Sequence, residues 1–154
     1  MDIARRHNLK VIEDVSHAHG TRYKGKMVGR IGHVSAMSMM SGKSLAAGEA
    51  GMLCTDDREI FERAVAFGHY ERHGDSLTLP ELVELRGLPL GGVKHRIVQT
   101  ASAMGRVQLK FYDERMAEIQ AAMNRFWDLL EGTPGIRPHR PPKGSGSTMG
   151  GWYN

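Results

Sequence analysis

Cysteine is almost missing from this sequence: Cys54 stands alone. That excludes an internal disulfide and fits a reducing compartment. No apolar run approaches the roughly 20 residues of a membrane-spanning helix. The N-terminus also lacks the apolar core of a secretory signal, so the cytoplasm is the expected location. Blocks of like charge are missing too. The net charge is only +4, with lysines and arginines scattered among acids, and no basic stripe marks a nucleic-acid surface. With 154 residues, 25% charged and 40% hydrophobic, the chain reads as one globular, soluble domain of ordinary size. No internal repeat is visible.

Two further gaps remove two chemistries. Ser41-Gly42-Lys43-Ser44 matches the end of the phosphate-binding loop G-x-x-x-x-G-K-S/T, but Met37 occupies the place of its first glycine. Without that glycine the backbone cannot close the tight phosphate cradle. His17-Ala18-His19 offers two alternate imidazoles with no acid or thiol at ligand spacing, which does not make a zinc site. No metal is expected.

What is present centres on Met37 to Gly51, M-S-M-M-S-G-K-S-L-A-A-G-E-A-G. Its one lysine, Lys43, has Glu49 as the only acid in the stretch, six residues on, and Met39, Met40 and Leu45 nearby. Such a lysine is expected to be partly desolvated. Desolvation disfavours an ammonium ion, which is one route to a usable amine nucleophile.

Around this stretch the pattern alternates helix and strand. Residues 2–8 read as helix and Lys10 to Asp14 as a short buried strand, the rhythm of a parallel sheet. Asp14 falls at that strand's carboxyl end, where open α/β sheets bind ligands; a turn cap is the other reading of the same carboxylate. His19-Gly20 reads as turn packing. Tyr23 to Gly29 is a turn-rich excursion, Val34 to Met39 a strand, and Gly51 to Thr55 another, with Cys54 as a core thiol. Thr55-Asp56-Asp57 supplies caps for a helix over about 57–67 that buries Ile60, Phe61, Ala64, Val65 and Phe67. Gly68 to Asp75 is a histidine-bearing loop, and Leu79-Pro80-Glu81 starts a short helix. From about 101 to 130 the pattern is helical. One stripe is Met104, Val107 and Phe111; a second is Met116, Ile119, Met123, Phe126 and Leu130. The five-residue step between Phe111 and Met116 predicts a bend. Gly132 to Gly135 ends the helix, and Arg137 to Ser147 is a loop rich in proline, glycine and serine.

Taken together, Val11 to Gly20, Tyr23 to Gly29, Met37-Ser38-Met39, Lys43, Gly48-Glu49-Ala50-Gly51, Thr55-Asp56-Asp57, Gly68-His69-Tyr70 and Val107-Gln108-Leu109 resemble the sugar aminotransferases of the DegT/DnrJ type. These are pyridoxal-phosphate enzymes of the aspartate-aminotransferase fold. The resemblance covers nearly the whole chain in the family's motif order. It implies an α/β fold: residues 1–115 as the C-terminal part of the large three-layer cofactor-binding domain, and 116–154 as a long helix and the start of the small domain. It also implies a strand at 51–55 antiparallel to the one before it.

By the same resemblance, the cofactor is pyridoxal 5'-phosphate and Lys43 is the catalytic amine that takes its aldehyde. Asp14 pairs with the protonated ring nitrogen, keeping the ring able to accept electrons. His17 stands where many members carry a glutamine beside the ring oxygen, and an imidazole can donate the same hydrogen bond. Ser38 places a hydroxyl near the phosphate. Lys94, with Arg96 two residues on, stands where the family commonly uses an asparagine to reach the partner protomer's phosphate. Two loop cations also read as solvated surface. The implied reaction passes an amino group from glutamate or glutamine to a keto-sugar nucleotide or keto-cyclitol, in a homodimer. His69, Tyr70 and His73 are the groups that could face a polyol. Dehydratases in the family replace the lysine with histidine, so Lys43 argues against that branch. The chain corresponds to well under half of such an enzyme, beginning within a helix and stopping as a strand begins. The alternative is a truncated or regulatory remnant of the same fold.

Overall fold

The computed structural model describes residues 1–69, 76–89 and 93–150. A helix α1 (Asp2–Arg6) leads into strand β1 (Ile12–Asp14). Two short strands, β2 (Arg22–Tyr23) and β3 (Lys26–Met27), form a hairpin where the turn-rich excursion was expected. Its tip is Lys24-Gly25, both at positive φ, the backbone that a two-residue hairpin turn requires. Strands β4 (Val34–Ser38) and β5 (Gly51–Cys54) follow.

β4 lies between β1 and β5, parallel to the first and antiparallel to the second. The antiparallel pairing agrees with the expectation, and the class is α/β with a mixed sheet. Asp14 pairs in register with Ala36, and Ser35 with Cys54. Side chains alternate along a strand, so Asp14, Ala36 and Ser38 share one face while Glu13, Ser35 and Met37 share the other. β5 is the edge strand and all four of its residues are exposed. Cys54 is therefore not a core thiol. Partial burial nonetheless pushes the thiol's pKa up, which leaves it protonated and unreactive at neutral pH.

Helix α2 (Arg58–Gly68) starts where Asp57 accepts from the Glu59 and Ile60 amides. Its buried line differs from the expected one. Phe61 and Phe67 are 38% and 45% exposed, whereas Ala66 and Glu62 are buried. The cause is Glu62, which is fully buried and draws the 76–79 segment onto its side of the helix. It accepts from the Thr78 hydroxyl (2.6 Å), the Thr78 and Leu79 amides (2.7 and 2.8 Å) and Arg58 Nε (2.6 Å). Leu77 and Leu82 then pack on Ala66. The short helix α3 (Pro80–Val83) begins at Pro80.

The long helical stretch is two helices, α4 (Gln99–Lys110) and α5 (Tyr112–Leu129), broken at Phe111 with φ −111 and ψ 10. That is the expected bend. Met116 is buried as expected, but Phe126, Met104, Val107 and Phe111 are exposed. α4 instead buries Ala101 and Gly105. It lies so close to the turn after β4 that a Cβ on Gly105 would sit 3.4 Å from Met39. Only small residues fit there. Met39, Leu45, Ala47 and Ala101 make the resulting core, with Ala50 and Tyr112 against it. Among the described residues, no helix is long and apolar enough to cross a membrane.

Candidate active site

β1 and β4 are parallel neighbours, so both chains leave the sheet at the same edge, and each then turns into a loop. Residues 15–20 follow Asp14; residues 39–50 carry Lys43. Backbone bonds fix each loop at its root: the Val15 amide donates to Ala36 O of β4 (2.8 Å), and the Met39 amide to Ala50 O closes the 39–50 loop (2.8 Å). Lys43 sits on a tight turn closed by its own amide donating to Met40 O (2.9 Å), and it is 7% exposed. The expected desolvation of this lysine is therefore present as burial.

Asp14 projects from the end of β1 and is exposed. Its Oδ1 accepts from the Ser16 amide (3.0 Å). Bonding from Ser16 holds this carboxylate below its ordinary range, with smaller help from the charges of His17 and Lys43. Asp14 thus stays ionised. Ser16 also reaches across to β4, its hydroxyl accepting from the Ser38 amide (3.2 Å). Ser38 Oγ accepts from the Met40 amide (3.3 Å), at the entry to the Lys43 turn.

Asp14 and Ser38 end two adjoining strands, and His17 and Lys43 stand on the loops that follow them, so these four residues singled out from the sequence gather at one end of the sheet. Lys94 stands on a different segment. It and Arg96 are exposed, and His95 ties that segment to the end of α2 through its amide to Gly68 O (2.9 Å). His69 caps α2 with its Nε2 buried and, among the described residues, without a hydrogen-bond partner. Tyr70 and His73 lie outside the described residues.

Three further residues carry structure around the site. Ser16 closes a turn on Asp14, and the signal was there in an Asp followed two residues later by a small polar residue. His19 is buried at 4% exposure and bonds to Ser44 and Leu45. Glu13, read as a mere strand residue, accepts from the amides of Gly29, Ile31 and Gly32 at 2.9, 2.8 and 2.6 Å. Burial alone would raise its pKa; the three amides outweigh that and lower it. On the Ser35 and Met37 face, away from Asp14, lies an open groove of about 440 Å³ reaching Leu109 and Tyr112. Among the described residues, no three His, Cys, Asp or Glu side chains come together as a metal site.

The profile of the DegT/DnrJ/EryC1/StrS aminotransferase family matches residues 1–153. The chain belongs to that family. The spore coat polysaccharide biosynthesis protein SpsC of Bacillus subtilis is 32% identical over 139 residues, 87% of this chain and 35% of SpsC. The L-glutamine:scyllo-inosose aminotransferase of Streptomyces griseus is 48% identical over 64 residues, 42% of this chain and 15% of that enzyme. The aminotransferase of Psychrobacter cryohalolentis superposes with a TM-score of 0.75 at 29% identity, over 97% of this chain and 40% of that one. The chain thus spans about two fifths or less of the length of these relatives.

Proposed function

We propose that the protein is a pyridoxal-phosphate aminotransferase with Lys43 as its catalytic amine. The observation that carries this reading is the shielded Lys43 amine set electrostatically beside an ionised Asp14 carboxylate, with the Ser38 hydroxyl on the adjoining strand end. That donor set fits the cofactor's three handles: an aldehyde, a ring nitrogen that must stay protonated, and a phosphate. When bound, the cofactor supplies an electron sink for a carbanion. Asp14 would hold the ring-nitrogen proton by its charge, His17 would donate to the ring oxygen, and Ser38 would bind phosphate. Lys43 Nζ would take the proton from the substrate carbon and return it, as a general base and then a general acid.

On this reading residues 1–115 belong to the large cofactor-binding domain and 116–154 open the small one. The protein works in the cytoplasm as a homodimer, in which Lys94 reaches the partner's phosphate. The amino group passes from glutamate or glutamine to a keto-sugar nucleotide or keto-cyclitol. The similarity to the scyllo-inosose enzyme supports the cyclitol branch. Borohydride reduction with pyridoxal phosphate and peptide mass mapping tests the site: the adduct is expected on the Lys43 peptide, and an adduct on Lys24 or Lys26 would end the assignment. A panel of keto-sugar nucleotides, keto-cyclitols and simple 2-keto acids tests the substrate. Turnover confined to 2-keto acids would remove the sugar assignment and leave the cofactor chemistry standing.

A further inference from the structure

The His19 ring is a polar group in the interior with an incomplete set of partners. Its Nδ1 lies 3.3 Å from Ser44 Oγ and 3.4 Å from the Leu45 amide. An amide nitrogen can only donate, so Nδ1 is the acceptor and the ring proton of the neutral form sits on Nε2. Nε2 is buried and, among the described residues, makes no hydrogen bond of good geometry, while the Ser38 backbone nearby favours a proton on the ring. A buried donor left unsatisfied costs stability. If the ring merely filled space, an apolar side chain would serve better. What an apolar side chain could not do is accept from the two residues that follow Lys43.

We propose that His19 is a positioning residue for Lys43, its imidazole tying the turn after the lysine to the loop after Asp14. The tie has a counterpart on the other side of the lysine, where Ser16 accepts from the Ser38 amide. The loop carrying Asp14 thus grips the Lys43 segment both before and after the amine. It is itself held from behind. Gly20, at φ +70, leaves room for Met116 and the Tyr112 hydroxyl of α5, which a Cβ there would meet at 2.7 and 3.3 Å. The backbone next to the ring is held against α5, so the ring's two acceptor contacts fix the spacing between the Asp14 loop and the lysine turn. Protonation would cancel the tie, since a charged ring has no acceptor. Burial first, then the nearby Lys43 charge, lower the ring's pKa and outweigh the Ser38 backbone, which raises it, so the ring stays neutral.

This inference rests on Lys43 as the cofactor amine, and the test separates the two. The protein without cofactor is reductively methylated with formaldehyde and borane, and each lysine's labelling rate is read by peptide mass mapping. His19→Ala is expected to raise labelling of Lys43 several-fold while Lys10 and Lys24 keep their rates. His19→Asn, whose amide oxygen can stand near Nδ1, should return Lys43 close to its original rate. His19→Gln, whose amide reaches the Nε2 end instead, should behave like His19→Ala and replaces it should His19→Ala not fold. An unchanged Lys43 rate in both tie-breaking variants would overturn the proposal. So would a rise shared by Lys10 and Lys24, or no rescue by His19→Asn. Borohydride trapping of pyridoxal phosphate on a different lysine would instead overturn the reading of Lys43 as the cofactor amine, whatever the methylation rates show.

Discussion

Asp14 offers a clean separation of charge from shape. An asparagine there keeps an oxygen for the Ser16 amide and nearly the same volume, but carries no negative charge. If the carboxylate is needed to hold a ring proton, Asp14→Asn should lower turnover by about 100-fold or more, the scale of losing one aimed electrostatic contact. Borohydride should still fix the cofactor on Lys43. Near-normal turnover in this variant would refute the role. Glu62 makes a different case, one of stability. Burial alone would raise its pKa, yet the Thr78 hydroxyl, the Leu79 and Thr78 amides and Arg58 bring it from 4.5 down to about 2. A group depressed in the folded state stabilises fully above its unfolded value, and that stabilisation is lost as pH falls through the folded one. Thermal melts should therefore show stability falling between about pH 4.5 and 2. Glu62→Gln should melt lower at neutral pH and lose less on acidification. An equally steep acid loss in the variant would exclude Glu62 as the source. Asp14, His17, Ser38 and Lys43 could be picked out in advance because motif order and spacing mark them. Glu13 and His19 could not, because they act on the backbone of other loops, and nothing in local spacing says which loop will arrive.

The break between α4 and α5 was legible because a five-residue step moves an apolar stripe round a helix. Which side of each helix faces inward was less legible. Large apolar residues mark a face that can be buried, but close approach selects small ones. α4 meets the Met39 and Ala47 turn through Ala101 and Gly105, leaving Met104, Val107 and Phe111 exposed. α2 turned on a carboxylate, which a hydrophobic stripe cannot announce. Gly105 tests the close approach with two substitutions of opposite sign. Gly105→Ala adds a Cβ in ordinary contact with Met39 and gains helix propensity, so it should be neutral or stabilising by up to about 1 kcal/mol. Gly105→Val drives branches into Met39 and Ala47 and should cost about 1–3 kcal/mol. Chemical denaturation reads both; a tolerated valine would mean that the helix stands further off.

The sheet edge that gathers the candidate site was readable in outline, since short strands alternating with loops and helices imply parallel pairing, and β1 and β4 are parallel. The return of residues 146–148 to the β2–β3 hairpin was not. It is made by main chain and small hydroxyls: Gly25 donates to Gly146 O (2.6 Å), Thr148 to Arg22 O (2.9 Å), the Arg22 amide to Thr148 Oγ1 and the Lys24 amide to Ser147 Oγ (each 3.0 Å). None of these leaves an apolar pattern.

That seam joins positions 126 residues apart for Arg22 and Thr148, whereas Val15 meets Ala36 across a short loop. Closing the longer loop costs on the order of 1–2 kcal/mol more in chain entropy, and a few surface bonds return little of it before the helices between are packed. The molecule should therefore assemble in time from its centre outwards: β1, β4 and β5 first, the seam last. Pulsed hydrogen exchange during refolding should protect the amide of Val15 before those of Gly25 and Thr148, and simultaneous protection would argue for a single concerted collapse.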